Sequence, residues 1–183
     1  MISLWILIGL AILVILSFMY YFNRFAVLEN RIDNSLSQIN VQLKRRADLI
    51  PNLIETVKGY VKHEKAAIKT VTDARKALVG AKGISDKLKA DNLLESALGK
   101  LFAIAEGYPD LKANTNFLEL QRELSTTEDR VAYARQHFND SIMAYHNLYK
   151  TFPGISFAKL YGKKEKEYLK ITEVEKKNIK VEF

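Results

Sequence analysis

Residues 1–22 read MISLWILIGLAILVILSFMYYF and hold no charged side chain; the first is Arg24. A helix of about 20 apolar residues crosses a hydrocarbon core of roughly 30 Å. Tyr20, Tyr21 and Phe22 close the run with the aromatic girdle expected at a membrane interface. A cleaved signal peptide needs a basic start, a shorter apolar core and a small-x-small site, and residues 1–22 supply none of these. The expectation is a retained single-pass anchor. Arg24, Arg31, Lys44, Arg45 and Arg46 follow the run on its carboxyl side. Positive charge stays cytoplasmic, which places the N-terminus outside and the domain inside. Zero cysteines fit either compartment.

The rest divides by pattern into a domain over residues 23–162 and a charged, partly ordered tail over 163–183. The domain is long enough to bury a core without disulfides or metal. The formal net charge of the chain is +7, with lysines scattered among glutamates rather than gathered in a stripe. A nucleic-acid partner is therefore not expected, whereas anionic lipid beside an anchor is a natural one.

The domain reads as all-α. Leu36, Ile39, Leu43, Ile50, Leu53, Val57 and Tyr60 recur at steps of three and four, and Arg46 is the one charged break. A neighbouring phase continues through Val61, Ile68, Val71 and Leu78 until Gly80 and Gly83 end the element. Pro51 lies inside the stripe and implies a kink or a new start capped by Asp48; the unbroken phase favours the kink. A second helix is expected over residues 86–106, with Leu94, Ala97, Leu98, Leu101 and Ala105 buried. Gly107 and Pro109 close it.

Asn114 is placed to cap a long helix running toward Phe152. One seam of it reads Phe117, Leu124, Val131, Phe138, Tyr145 and Phe152; the other reads Leu120, Thr127, Ala134, Ser141 and Leu148. Large residues opposite small ones let helices approach without voids. Pro153-Gly154 ends the helix, and residues 155–161 suit a short helix over the core better than a membrane-surface segment. Residues 179–183 alternate apolar and polar and are expected extended. Together these readings specify a transmembrane helix followed by an antiparallel up-and-down bundle of three to four helices.

No catalytic or metal motif emerges, and no enzyme activity or cofactor is expected. His63-Glu64 opens like a zinc-peptidase helix, but Ala67 stands where the second histidine belongs. His137 and His146 fall on opposite faces of a helix and read as surface residues. Phosphate loops and nucleophile elbows are missing as well. What resists a bland reading is the crowd of mostly uncharged polar residues just beyond the anchor: Asn30, Asp33, Asn34, Ser35, Ser37, Gln38, Asn40 and Gln42. Such residues set register and partner in helix seams. The candidate contact residues are Asn30, Asp33, Asn34, Gln38, Gln42 and Arg46, with Tyr108 and Asp110 of the Tyr108-Pro109-Asp110 loop; the alternative for the polar set is capping of the bundle's near end, and for Tyr108 a core-anchoring tyrosine, which is the better reading there.

Longer motifs carry a resemblance. Asn30-Arg31-Ile32-Asp33-Asn34-Ser35, Val41-Gln42-Leu43-Lys44-Arg45-Arg46 and Asp48-Leu49-Ile50-Pro51-Asn52-Leu53 occur in the first half. Glu106-Gly107-Tyr108-Pro109-Asp110-Leu111, Thr127-Glu128-Asp129-Arg130 and Phe138-Asn139-Asp140 occur in the second. This pattern resembles the LemA family of bacterial membrane proteins from the anchor to about Gly162. Ala47 and His146 depart from the family's usual histidine and asparagine. The resemblance implies an N-terminal anchor in the bacterial inner membrane, an antiparallel bundle, and no established catalytic activity or cofactor. The expected role is a scaffold or adaptor that self-assembles into a homo-oligomer or binds another membrane protein. An anionic-lipid organiser, or a subunit or regulator of a membrane enzyme such as a protease, are the alternatives.

Overall fold

The computed structural model describes residues 2–61 and 64–169. Among them the fold is all-α, with six helices: α1 (Ile2–Lys58), α2 (Lys65–Gly80), α3 (Ile84–Ala105), α4 (Pro109–Lys112), α5 (Thr115–Lys150) and α6 (Gly154–Leu160). The amino-terminal part of α1 is long and apolar enough to cross a membrane. His63 and residues 179–183, for which expectations were stated, lie outside the described residues. The chain divides into two compact units, residues 36–135 and residues 2–35 with 136–169.

In the 36–135 unit, α1 and α5 run antiparallel: Arg45 pairs with Glu123, and Tyr60 accepts a hydrogen bond from Asn114. The partner number falls as the α1 number rises. Helix α3 runs with α1, since Lys87 meets Asn40 and Arg46 meets Asp91. Helix α2 returns between them, which completes an up-down-up-down order. The core is built from Ile39, Leu43, Ile50, Leu53 and Val57 of α1, Val71 and Leu78 of α2, Leu94, Leu98 and Leu101 of α3, and Phe117, Leu124 and Val131 of α5. Each such side chain contributes about 1.5–3 kcal/mol by leaving water.

The element expected to run from Leu36 to Gly80 is two helices, not one. Helix α1 ends at Lys58 beside Gly59, a poor helix former. The Val57 carbonyl accepts from both Tyr60 N and Val61 N at 3.0 Å as the helix ends. Tyr60 is exposed and Val61 is buried. The change of apolar phase visible in the sequence is this break.

Pro51 does not end α1. It lies on the exposed side of the helix and cannot donate to the carbonyl of Ala47 one turn back. That carbonyl instead accepts from Arg75 Nε of α2 at 2.8 Å. The proline's missing donor is thus supplied from a neighbouring helix. Arg75→Met is expected to cost about 1.5–3 kcal/mol, the range for a hydrogen bond to a charged group. The cost should shrink sharply when Pro51→Ala restores the local donor. Equal costs in both backgrounds, measured by denaturant unfolding of the full chain in detergent, would refute the substitution of one donor for the other.

Pro109 opens α4, where a missing N–H is harmless, and Leu111 anchors that turn in the core. Asn114 Oδ1 accepts from Phe117 N at 3.0 Å, the N-cap expected for α5.

In the other unit, Phe25, Leu28 and Ile32 of α1 join Phe138, Ile142 and Tyr145 of α5 in the core, with Ala158 of α6. Phe152 does not continue the α5 seam: the helix stops at Lys150, and Phe152 is 85% exposed. His146 is not a surface residue either. The segment over residues 163–169 returns along α5, and His146 Nε2 lies 2.7 Å from the Lys166 carbonyl. Asn139 grips the backbone of Leu169 in both directions, at 3.2 and 3.0 Å. Tyr145 donates to the Lys164 carbonyl, and burial pushes its phenol up to about 12, so it remains a donor.

Candidate functional site

The polar run after the span separates into an inward and an outward set. Ser35 is fully buried; its hydroxyl donates to the Arg31 carbonyl, which leaves Oγ to accept from His137 Nδ1, both at 2.8 Å. Asn40 bonds its own helix at Leu36 O and accepts from Lys87 Nζ at 2.7 Å. Gln42 is half-buried. The Ser35 and Asn40 side chains are thus bonded within the fold, whereas Gln42 Oε1 is buried without a partner. Asn30, Asp33, Asn34, Ser37 and Gln38 are exposed, and their side chains have no hydrogen-bond or ion-pair partner among the described residues. Asn30, Asn34 and Gln38 follow at i+4 spacing, so they form one ridge of α1.

Arg46 is a correction. Expected at a contact, it is 2% exposed and lies in the interior of the bundle. The apolar stripe carries it inward because two acids meet it there. Nη1 donates to Asp91 Oδ1 of α3 at 3.0 Å, and Nη2 donates to Glu128 Oε2 of α5 at 3.2 Å. Asp91 is buried, whereas Glu128 is half exposed. Burial raises the Asp91 carboxyl above its ordinary range, and the Arg46 guanidinium opposes that shift without cancelling it. Arg46 Nε and Gln42 Oε1, one turn apart, are buried without a partner. The arrangement joins α1, α3 and α5 through one residue of each, with Arg46 and Asp91 buried inside the bundle. Sequence reasoning missed Asp91, although it stands three residues before Leu94 on the apolar face of α3.

Tyr108 is half-buried at the N-cap of α4, and Asp110 is exposed in its first turn. Among the described residues, no side-chain hydrogen bond or ion pair joins either of them to the α1 ridge. Among the described residues, no group of three His, Cys, Asp or Glu side chains is placed to hold a metal ion.

A sequence profile of the LemA family matches residues 35–183. The chain belongs to the LemA family. It is 27% identical over 173 residues to magnetosome protein MamQ of Magnetospirillum gryphiswaldense, covering 80% of this chain and 64% of that protein. It is 26% identical over 125 residues to protein LemA of Metamycoplasma hominis, covering 68% of this chain and 57% of that protein. A MamQ of Paramagnetospirillum magneticum is 23% identical over 173 residues, covering 80% of this chain and 64% of the relative. The chain thus spans under two thirds of the length of each of these curated relatives. The LemA membership and the apolar span of α1 make this a membrane-associated helical protein.

Proposed function

We propose that this LemA-family chain is a non-enzymatic, membrane-anchored scaffold. Its bundle self-assembles or binds another membrane protein through the outward ridge of α1. The observation that carries the reading is the ridge itself: Asn30, Asn34 and Gln38 are exposed, uncharged and without side-chain partners among the described residues. A helix face that only met water would be served equally well by lysine and an acid, as it is farther along at Lys44 and Asp48. Amide side chains at i+4 spacing suit a polar seam against a second helix. The self-bonded Arg46 cluster supports a structural rather than catalytic use of the buried charges. The basic residues after the span favour a domain on the cytoplasmic side of a bacterial inner membrane.

Changing Asn30, Asn34 and Gln38 together to alanine tests the ridge. Alanine favours the helix, so the fold should persist. Association measured by cross-linking in the membrane should weaken at least about tenfold, as expected when contact residues contribute more than about 1 kcal/mol. Undiminished cross-linking would remove the ridge from the contact.

A further inference from the structure

Helix α6 is clamped to the end of the membrane span. Phe157 stacks on Tyr21 with ring centroids 4.4 Å apart and meets Phe18 edge-on at 5.2 Å. The Tyr161 hydroxyl donates to the Phe18 carbonyl at 2.8 Å. Phe18 stands four residues before the end of the apolar run at Phe22. At about 1.5 Å per residue, its carbonyl lies roughly 6 Å inside that end. Whatever bonds to it shares that depth. Interfacial helices bury their apolar faces about 5–10 Å into the headgroup and acyl boundary.

The segment is also dressed for that position. Phe152 is 85% exposed, Leu160 61% and Ile155 37%, although α6 holds only seven residues. An open apolar groove beside it is lined by Phe18, Met19, Phe22, Asn23 and Tyr161. Lys159 and Lys164, both exposed, flank Leu160-Tyr161 and suit anionic headgroups. Seven residues bind lipid poorly when free. Attachment to an inserted helix removes that objection, because the contact becomes intramolecular.

The geometry points to a second membrane contact: Phe152 of the turn before α6, with Ile155 and Leu160 of α6, enter the bilayer interface beside the span. The occupant of this apolar surface is lipid, since the surface is continuous with the lipid-facing span. The inference rests on the anchored reading of α1 and goes beyond the scaffold role. The short helix over the core expected for residues 155–161 is present as α6, with Ala158 buried, and the inference adds a lipid contact to it.

Trp5 is the one tryptophan of the chain and lies in the span, which gives an internal control. The full-length protein, reconstituted in phosphatidylcholine–phosphatidylglycerol vesicles, would be compared with Trp5→Phe/Phe152→Trp and Trp5→Phe/Leu160→Trp variants. Lipids brominated high or low on the acyl chain serve as quenchers. The expected result is quenching of Trp5 in the native chain and loss of most emission in both variants, with high bromines more effective than low ones. Native quenching with unquenched, water-like emission in both variants would leave the anchor standing and overturn the inference. A blue-shifted variant emission that bromine does not touch would also overturn it, by assigning the surface to protein. No quenching at any position would remove the anchored reading and the inference with it. The second variant guards against a single substitution that disturbs the Phe152 turn.

Discussion

Arg46→Ala is expected to destabilise the 36–135 unit by about 3–5 kcal/mol, the cost of leaving a buried charge uncompensated. Asp91 would lose its guanidinium while remaining buried, and Glu128 would lose the same partner. The paired variant Arg46→Met/Asp91→Leu should behave differently. It removes both desolvated charges and the unpartnered Arg46 Nε, so it is expected to be near neutral or more stable than the native chain. The pH dependence follows from the raised Asp91 carboxyl. The folded state holds that proton more tightly than the unfolded chain, whose pKa is near 3.8. The contribution of Asp91 is therefore fully present below that value and is lost as pH rises through the raised folded pKa. Measured as the difference between the native chain and Asp91→Asn, stability should fall with rising pH across that window. Denaturant unfolding of the full chain in detergent reads all three variants. A mild Arg46→Ala effect, or a pH slope of opposite sign, would mean that the buried cluster is not what joins the three helices.

The second large effect is expected at Gly154, where α6 begins. A Cβ there would stand 2.1 Å from the Leu148 carbonyl oxygen and 3.1 Å from its carbon. Both are backbone atoms, so no rotamer change makes room. Gly154→Ala should displace α6 at a cost toward the upper end of about 1–3 kcal/mol, the range for overpacking. The Phe157–Tyr21 stack and the Tyr161–Phe18 hydrogen bond should loosen together, seen as faster amide hydrogen exchange over residues 155–161. Gly99→Ala is the matching control. It lies inside α3 with nothing within 4 Å of an added Cβ. There alanine should stabilise by about 0.5–1 kcal/mol through helix propensity. Normal exchange in the Gly154→Ala variant would contradict the close approach.

Periodicity carried most of the fold because burial enforces it. The span, the Asn114 cap, the buried face of α3 and most of the Phe117–Tyr145 seam follow directly from spacing. Where spacing failed, a long-range partner had intervened. Arg46 broke the apolar stripe because Asp91 and Glu128 wait for it on other helices. Pro51 was tolerated because Arg75 covers the Ala47 carbonyl. Phe152 kept the seven-residue phase but lies past the end of α5, where helical phase no longer sets direction. His146 reads outward from its helical spacing, because nothing local announces the return of residues 163–169 along α5. The polar run was legible as a group. Its division into inward Ser35 and Asn40 and outward Asn30, Asn34 and Gln38 needed the three-dimensional partners.

The scaffold reading is tested most directly by the mass of the intact protein as it exists in its native membrane. The full chain would be cross-linked there, extracted gently and weighed by native mass spectrometry, beside the Asn30/Asn34/Gln38 alanine variant. The account predicts a discrete assembly well above the 20.9 kDa of one chain, lost or greatly reduced in the variant. A lone monomer from both samples would contradict it.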